Sequence, residues 1–279
     1  MRNNTMIFDF EQEIERRLSL CASEGNLGKT ISLPQIAKPY MFDPSAQWDR
    51  RAELARFGVE LTGKPGQRNI IVLDADAPPP SSKTVIQLFG GSDQLIVLDG
   101  EHRLIANVRL ESQNQTLVIS KRTSRPFHSN SLILRGNNTS VIIGSETTSN
   151  GSTILVDGHN TCILIGNDCM ISHGNEISAS DSHSIFDIDS LESLPTAANV
   201  LIGRHVWIGA HVSINKGVRI GDGSIVGTRS VVTKDVPSAS LYVGSPAREL
   251  KTGVTWSRER YASAAVKISV LKSLGFHKS

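Results

Sequence analysis

The chain is poor in aromatic residues, 5% of its 279 positions, and has only three cysteines. Low aromatic content argues against one large aromatic-rich core. With 23 glycines and many short aliphatics, it suits a fold that repeats a narrow, side-chain-filled interior. Cys21, Cys162 and Cys169 show no CxxC spacing, so neither a disulfide framework nor a zinc ribbon is expected and the reducing cytoplasm is the expected compartment. Cys162 and Cys169 sit among Ile and Leu and read as small core residues. Charge of one sign is missing too: 29 Lys and Arg face 27 Asp and Glu, a net charge of +2. That leaves no bulk electrostatic reason to bind nucleic acid. No window approaches the roughly 18 apolar residues of a membrane span, and acidic residues stand near the amino terminus where a leader needs its apolar stretch. A soluble protein without membrane insertion is expected.

What is present is a change of pattern along the chain. Residues 1–69 show no repeat. Phe8 to Leu20 and Ala46 to Leu61 have helical spacing of apolar residues, Gly25, Gly28 and Pro34 mark a loop, and Asp43, Pro44 and Ser45 are placed to cap the second helix. This predicts a mostly helical cap. The strand Ile70 to Leu73 then ends before the breaker run Pro78 to Ser82, and short aliphatic strands follow at Val85 to Phe89, Leu95 to Leu98, Leu117 to Ser120, Leu132 to Leu134, Val141 to Ile143, Ile154 to Val156 and Ile163 to Ile165. The stretch Gly136 to Gly144 nearly repeats in Gly158 to Gly166, a stacking signature.

Downstream the period tightens to six. Ile202, Ile208, Ile214, Ile220, Val226 and Val232 share one register, with Gly after the aliphatic at 203, 209, 221 and 227. Val206, Val212, Val218, Ser224, Ser230 and Val236 follow four positions on. Six such hits in a row arise by chance about once in several thousand. Ile165, Ile171 and Ile177 extend the register upstream across an interruption that begins at Ser184. Hexads of this kind predict an all-β solenoid, a left-handed parallel β-helix in which the first aliphatic points inward and the small or β-branched residue lets the chain turn a corner. The expected division is a helical cap over 1–69, a β-helix over 70–252 with a loop insertion at 184–199, and a carboxy-terminal extension over 253–279, helical from Arg258 to Leu274. A coil without a separate core must stack, cap its ends and shield its faces by association.

The segments ISHGNEISASDSHSIFD and IGRHVWIGAHVSINKGVRIGDGSIVGTRSVVTKDVPSASLYVGSPAREL resemble the hexapeptide-repeat sugar O-acetyltransferases, most of all the bacterial enzymes that acetylate capsular polysaccharide, polysialic acid or lipopolysaccharide. The resemblance covers about residues 165–256. It implies a homotrimer with active sites between neighbouring coils, acetyl-CoA as donor and a glycan acceptor. His183 falls at the family's catalytic histidine and Trp207 at the tryptophan beside the reacting groups. Ala210 falls where a backbone N–H faces the thioester, Thr228, Thr233 and Lys234 line the CoA path, and Arg248 and Lys251 stand near its nucleotide end. The chain departs from the pattern at Ala210, where some relatives have Ser, and at Thr228, where Ala is usual.

Those residue types suit acyl transfer. A neutral imidazole removes the proton of a sugar hydroxyl as it attacks, and either a backbone carbonyl or the nearby carboxylate of Asp181 orients the ring. The turn at Gly209 and Ala210 offers an N–H to the oxyanion. Gly227 and Thr228 suit an extended pantetheine arm, and Lys234, Arg248 and Lys251 suit phosphates. No Cys or Ser stands in a nucleophile elbow, so direct transfer is expected rather than an acyl-enzyme. The alternatives are an amino or other small acceptor, a packing or trimer-contact role for Trp207, solvated corner charges at Lys234 and Arg248, a zinc site drawing on His159, His173, His205 and His211 as in carbonic anhydrases of the same coil, and a non-catalytic solenoid. No metal is expected.

Overall fold

The computed structural model describes residues 10–21, 34, 36, 38–76, 83–100, 104–121 and 126–276. The loop glycines Gly25 and Gly28 and the breaker run Pro78 to Ser82 lie outside the described residues. The chain winds as a parallel β-helix. One face stacks Ile70–Asp74, Leu95–Leu98, Thr116–Ile119, Ser140–Ile143, Cys162–Ile165, Val200–Ile202 and Arg219–Ile220 in parallel, with Pro39–Phe42 added antiparallel at its edge. The rest of each coil starts as a single strand in Val59–Lys64, Thr84–Phe89, Leu104–Leu110, Phe127–Leu134 and Thr148–Val156. The last of these bends at a bulge beside Gly151, and beyond it the sheet divides. One branch runs Met170–Ile171, Trp207–Ile208, Ile225–Val226 and Ser240–Val243, and the other Asn175–Ser178, Ser213–Ile214 and Val231–Val232. From there the coil has three faces.

The hexads explain that third face. Ile202, Ile208, Ile214, Ile220, Val226 and Val232 are all at most 2% exposed, and the residues four positions on point inward with them. Two inward side chains per hexad leave room for strands of only two residues before each corner. At one corner a side chain on Gly209 would stand 2.6 Å from the Thr228 amide nitrogen, so successive backbones approach too closely for anything but glycine.

The amino-terminal region is less helical than its spacing predicts. α1 spans Phe10–Cys21, but the second helical stretch is a 3-10 helix, Trp48–Phe57, ended by Gly58 in the left-handed region, and Val59–Lys64 is already a coil strand. The stretch carries two periods in succession, and the β-branched, alternating end follows sheet pairing. Asp43 does not cap the helix either: its carboxylate accepts from Ser45, and the N-cap is Gln47, whose side chain accepts from the Asp43 amide and makes no capping bond. Phe42, Leu54 and Phe57 plug the open end of the core at the first coil, with Tyr40 and Trp48 packed there, which helps shield that coil from edge pairing.

At the other end Ser240–Val243 pairs antiparallel with Arg248–Thr252. α2 covers Ala264–Leu274, shorter than the expected Arg258 to Leu274, because Ser263 caps it by accepting from the Val266 amide. Ahead of Ser263 in the chain, the side chains of Trp256 and Arg258 are bonded to the coil instead.

Candidate active site

The site grows from the interruption between Asn175–Ser178 and Val200–Ile202. Ser180 and Ala197 form an antiparallel bridge at its neck, the Asp181 amide donates to the Thr196 carbonyl at 2.8 Å, and Phe186 bridges Ser193 farther out. The loop therefore rises as an ordered hairpin. Ser182 adopts the left-handed region, with its amide on Ser180 Oγ at 2.9 Å. That sharp turn lifts His183 into solvent, exposed and without a hydrogen bond or ion pair among the described residues. Asp181 does not meet the His183 ring. Its carboxylate is held by the Lys216 ammonium, which also donates to the Pro195 carbonyl.

Trp207 sits on the two-residue strand between Met170 and Ile225. Alternation puts Ile208 in the core and leaves Trp207 facing out, 39% exposed. Beside it runs a groove of about 870 Å³ whose walls include Trp207, Ile225, Trp256, Tyr261, Lys267 and Leu271. Behind the groove lies a network that the sequence did not disclose. Trp256 stacks on His205 at 4.2 Å between ring centroids and donates from Nε1 to the His205 carbonyl at 2.7 Å. His205 Nδ1 lies 2.6 Å from Asp168, and Arg258 reaches Asp168, Thr148 and the carbonyls of Glu146 and Cys169. Partial burial favours a raised carboxyl at Asp168, yet the hydrogen bonds from His205 and Arg258 outweigh it and hold that carboxyl below the usual range. The partners are 37 and 90 residues away in sequence, a separation no local pattern reveals.

The residues expected on the cofactor side fall in two places. Ala210 and Thr228 follow Gly209 and Gly227 at the same corner of successive coils, and the Ala210 carbonyl accepts from the Arg229 amide at 2.8 Å. His173 and His211 meet at that corner edge to face, 4.9 Å apart. Thr233, Lys234, Arg248 and Lys251 are exposed toward the carboxy-terminal end of the coil, and Lys234, Arg248 and Lys251 enter no ion pair among the described residues. His159 is elsewhere, accepting from the Asn137 amide at 3.1 Å, and His205 is committed to Asp168 and Trp256. Among the described residues no group of three His, Cys, Asp or Glu side chains is placed to hold a metal. Burial pushes the Cys169 thiol up to about 12, which leaves no thiolate for nucleophilic chemistry at neutral pH. Nor is any described helix long and apolar enough to cross a membrane.

Residues 199–234 match the model of the bacterial transferase hexapeptide, six repeats. That segment of the chain is a bacterial hexapeptide repeat. The left-handed β-helix of the chain is similar to the crystal structure of the polySia specific acetyltransferase NeuO, with a TM-score of 0.60 and 26% identity over 78% of this chain and 99% of that one. A second solved structure, the polysialic acid O-acetyltransferase OatWY, gives a TM-score of 0.56 at 26% identity, covering 77% of this chain and 99% of that one. A polysialic acid O-acetyltransferase of Escherichia coli O1:K1 is 41% identical over 118 residues, 42% of this chain. The match spans 38% of that relative's length.

Proposed function

We propose that this chain is an O-acetyltransferase that moves an acetyl group from acetyl-CoA to a hydroxyl of a bacterial surface polysaccharide, polysialic acid being the first acceptor to test. The observation that carries the reading is the placement of His183: an exposed imidazole with no competing partner among the described residues, on an ordered loop rising from coils similar along nearly the whole length of a polySia specific acetyltransferase. His183 takes the hydroxyl proton as the oxygen attacks the thioester carbonyl. The tetrahedral intermediate, its oxyanion met by the Ala210 N–H, collapses to the ester and expels the CoA thiolate, which leaves with the proton. Trp207 walls the acceptor side. Gly227, Thr228 and Thr233 line the pantetheine path, and the unpaired cations Lys234, Arg248 and Lys251 match the phosphates. The functional unit we propose is a cytoplasmic homotrimer with sites between neighbouring coils.

The test compares wild type with His183→Ala for acetyl-CoA consumption in the presence of polysialic acid and a panel of other glycans. We expect kcat to fall by about 10²–10⁴-fold. Undiminished turnover removes His183 from the mechanism, and wild-type protein inert toward every glycan removes the assignment itself.

A further inference from the structure

The loop that carries His183 is tied at its neck by one side chain from a different coil. Lys216 sits just before Gly217, whose amide reaches the Ala198 carbonyl. Its ammonium meets the carboxylate of Asp181 on the outgoing strand of the neck and the carbonyl of Pro195, 2.6 Å away, on the returning strand. The side chains of Lys216 and Asp181 keep 25% and 34% of their exposure. An ion pair that keeps a quarter to a third of its exposure is still screened by water and contributes modestly to global stability. What it does by geometry is join the two strands of the neck to the next coil, two residues before His183.

We propose that Lys216 is a positioning residue: through Asp181 and the Pro195 carbonyl it fixes the height and direction at which the loop presents His183 to the reacting hydroxyl. The proposal rests on the reading of His183 as the base. Asp181 then serves His183 through the neck of the loop rather than by a hydrogen bond to the ring. A displacement of about 1 Å at a reacting group costs on the order of 10²-fold in rate, so a strap that adds little to stability acts on turnover.

Steady-state kinetics with acetyl-CoA and polysialic acid, on wild type, Lys216→Met, Lys216→Arg, Asp181→Asn and His183→Ala, test it. We expect Lys216→Met and Asp181→Asn each to lower kcat by about 10- to 100-fold, with KM for acetyl-CoA within about twofold and an unchanged melting temperature. The double variant should lose no more than either single one, and Lys216→Arg, which keeps charge and donors, should recover most of the rate. Hydrogen exchange of the amides over 181–197 gives a readout that needs no acceptor, and it should quicken in Lys216→Met while the hexads stay protected. Full kcat or unchanged exchange in Lys216→Met overturns the strap even where His183→Ala is inactive. If His183→Ala keeps its turnover, the general-base reading fails independently, and exchange still decides whether Lys216 holds the loop. Should Lys216→Met fold poorly, Asp181→Asn breaks the same contact from the other side and is judged by the same two outcomes.

Discussion

The upstream and downstream coils of the same solenoid are built on different rules. Upstream, stacked side chains are 25, 21, 24 and 22 residues apart on successive coils, while the stacked pair Arg204 and Asp222 is separated by 18. One column crosses the boundary. Val72, Val97, Val118, Ile142, Leu164, Leu201 and Arg219 pair in sequence on the outward side of one face. The first five are at most 1% exposed, Leu201 is half-buried, and the column ends on a charge. Ile14 of α1 and Ile36 belong to the same cluster. The upstream face is therefore a sheet buried on both sides, free to vary its period because a cover and side-chain ladders hold it. Among the described residues the downstream face has no such cover, and strict hexads hold it instead.

The largest expected effect separates those two ways of burying a face. Ile142→Ala empties a covered outer position and should cost about 2–5 kcal/mol. Leu201→Ala, on the same column where the cover ends and the side chain is only half-buried, should cost less, about 1–2 kcal/mol. Urea unfolding of both variants checks this, and equal losses would show that the cover does not end where the column says.

The hexad half was legible in the sequence because its physics is local: two inward residues in every six, with a glycine after four of the six aliphatics, and each hexad aliphatic from Ile202 to Val232 is buried as that register requires. Its strands, and those over Leu95–Leu98 and Cys162–Ile165, lie where the aliphatic runs put them. The cap was misjudged where one apolar stretch held a 3-10 helix and then the strand Val59–Lys64, and the strand Leu104–Leu110 was missed because its polar outward residues break the aliphatic run. In the site, the exposure of His183 and Trp207 follows from the motif and from alternation. Lys216, Asp168 and Trp256 were invisible as a set, since coil stacking alone brings them to partners far along the chain.

A middle-sized effect tests the ladder that lets the upstream period vary. Gln115 is fully buried and joins three coils: Gln94 Nε2 donates to its carbonyl oxygen at 3.3 Å, and its own amide donates to the Gly136 carbonyl and Thr139 Oγ1. Gln115→Ala strands several buried polar partners and should cost about 1–3 kcal/mol. Ser224→Ala, in a hexad, loses one bond to the Pro237 carbonyl and should cost about 1 kcal/mol. Thermal unfolding that ranks the two variants the other way would place the polar load in the hexads.

The smallest effect is electrostatic and concerns how each half is closed. Glu13 in α1 is paired with Arg16 and Arg17, and Arg17 in turn donates to the Asp93 carbonyl of the upstream coils. The bond from Arg16, helped by Arg17 against some desolvation, lowers the Glu13 pKa from 4.5 to about 2. Asp168 plays the corresponding part for the downstream half, holding Arg258 and His205, and its carboxyl is lowered as well. Because both folded-state values are depressed, the stabilisation from each is fully present above the unfolded carboxylate pKa and is lost as pH falls through the folded one. For Glu13 that window runs from about 4.5 down to about 2. Glu13→Gln should therefore lose about 1 kcal/mol or less at pH 7, with the difference from wild type closing across that window. Asp168→Asn should show its loss in the fluorescence of Trp256, which stacks on His205, and leave the protection of α1 unchanged. A loss from either variant that stays constant down to pH 2 would mean that packing, and not the carboxylate, closes that half of the coil.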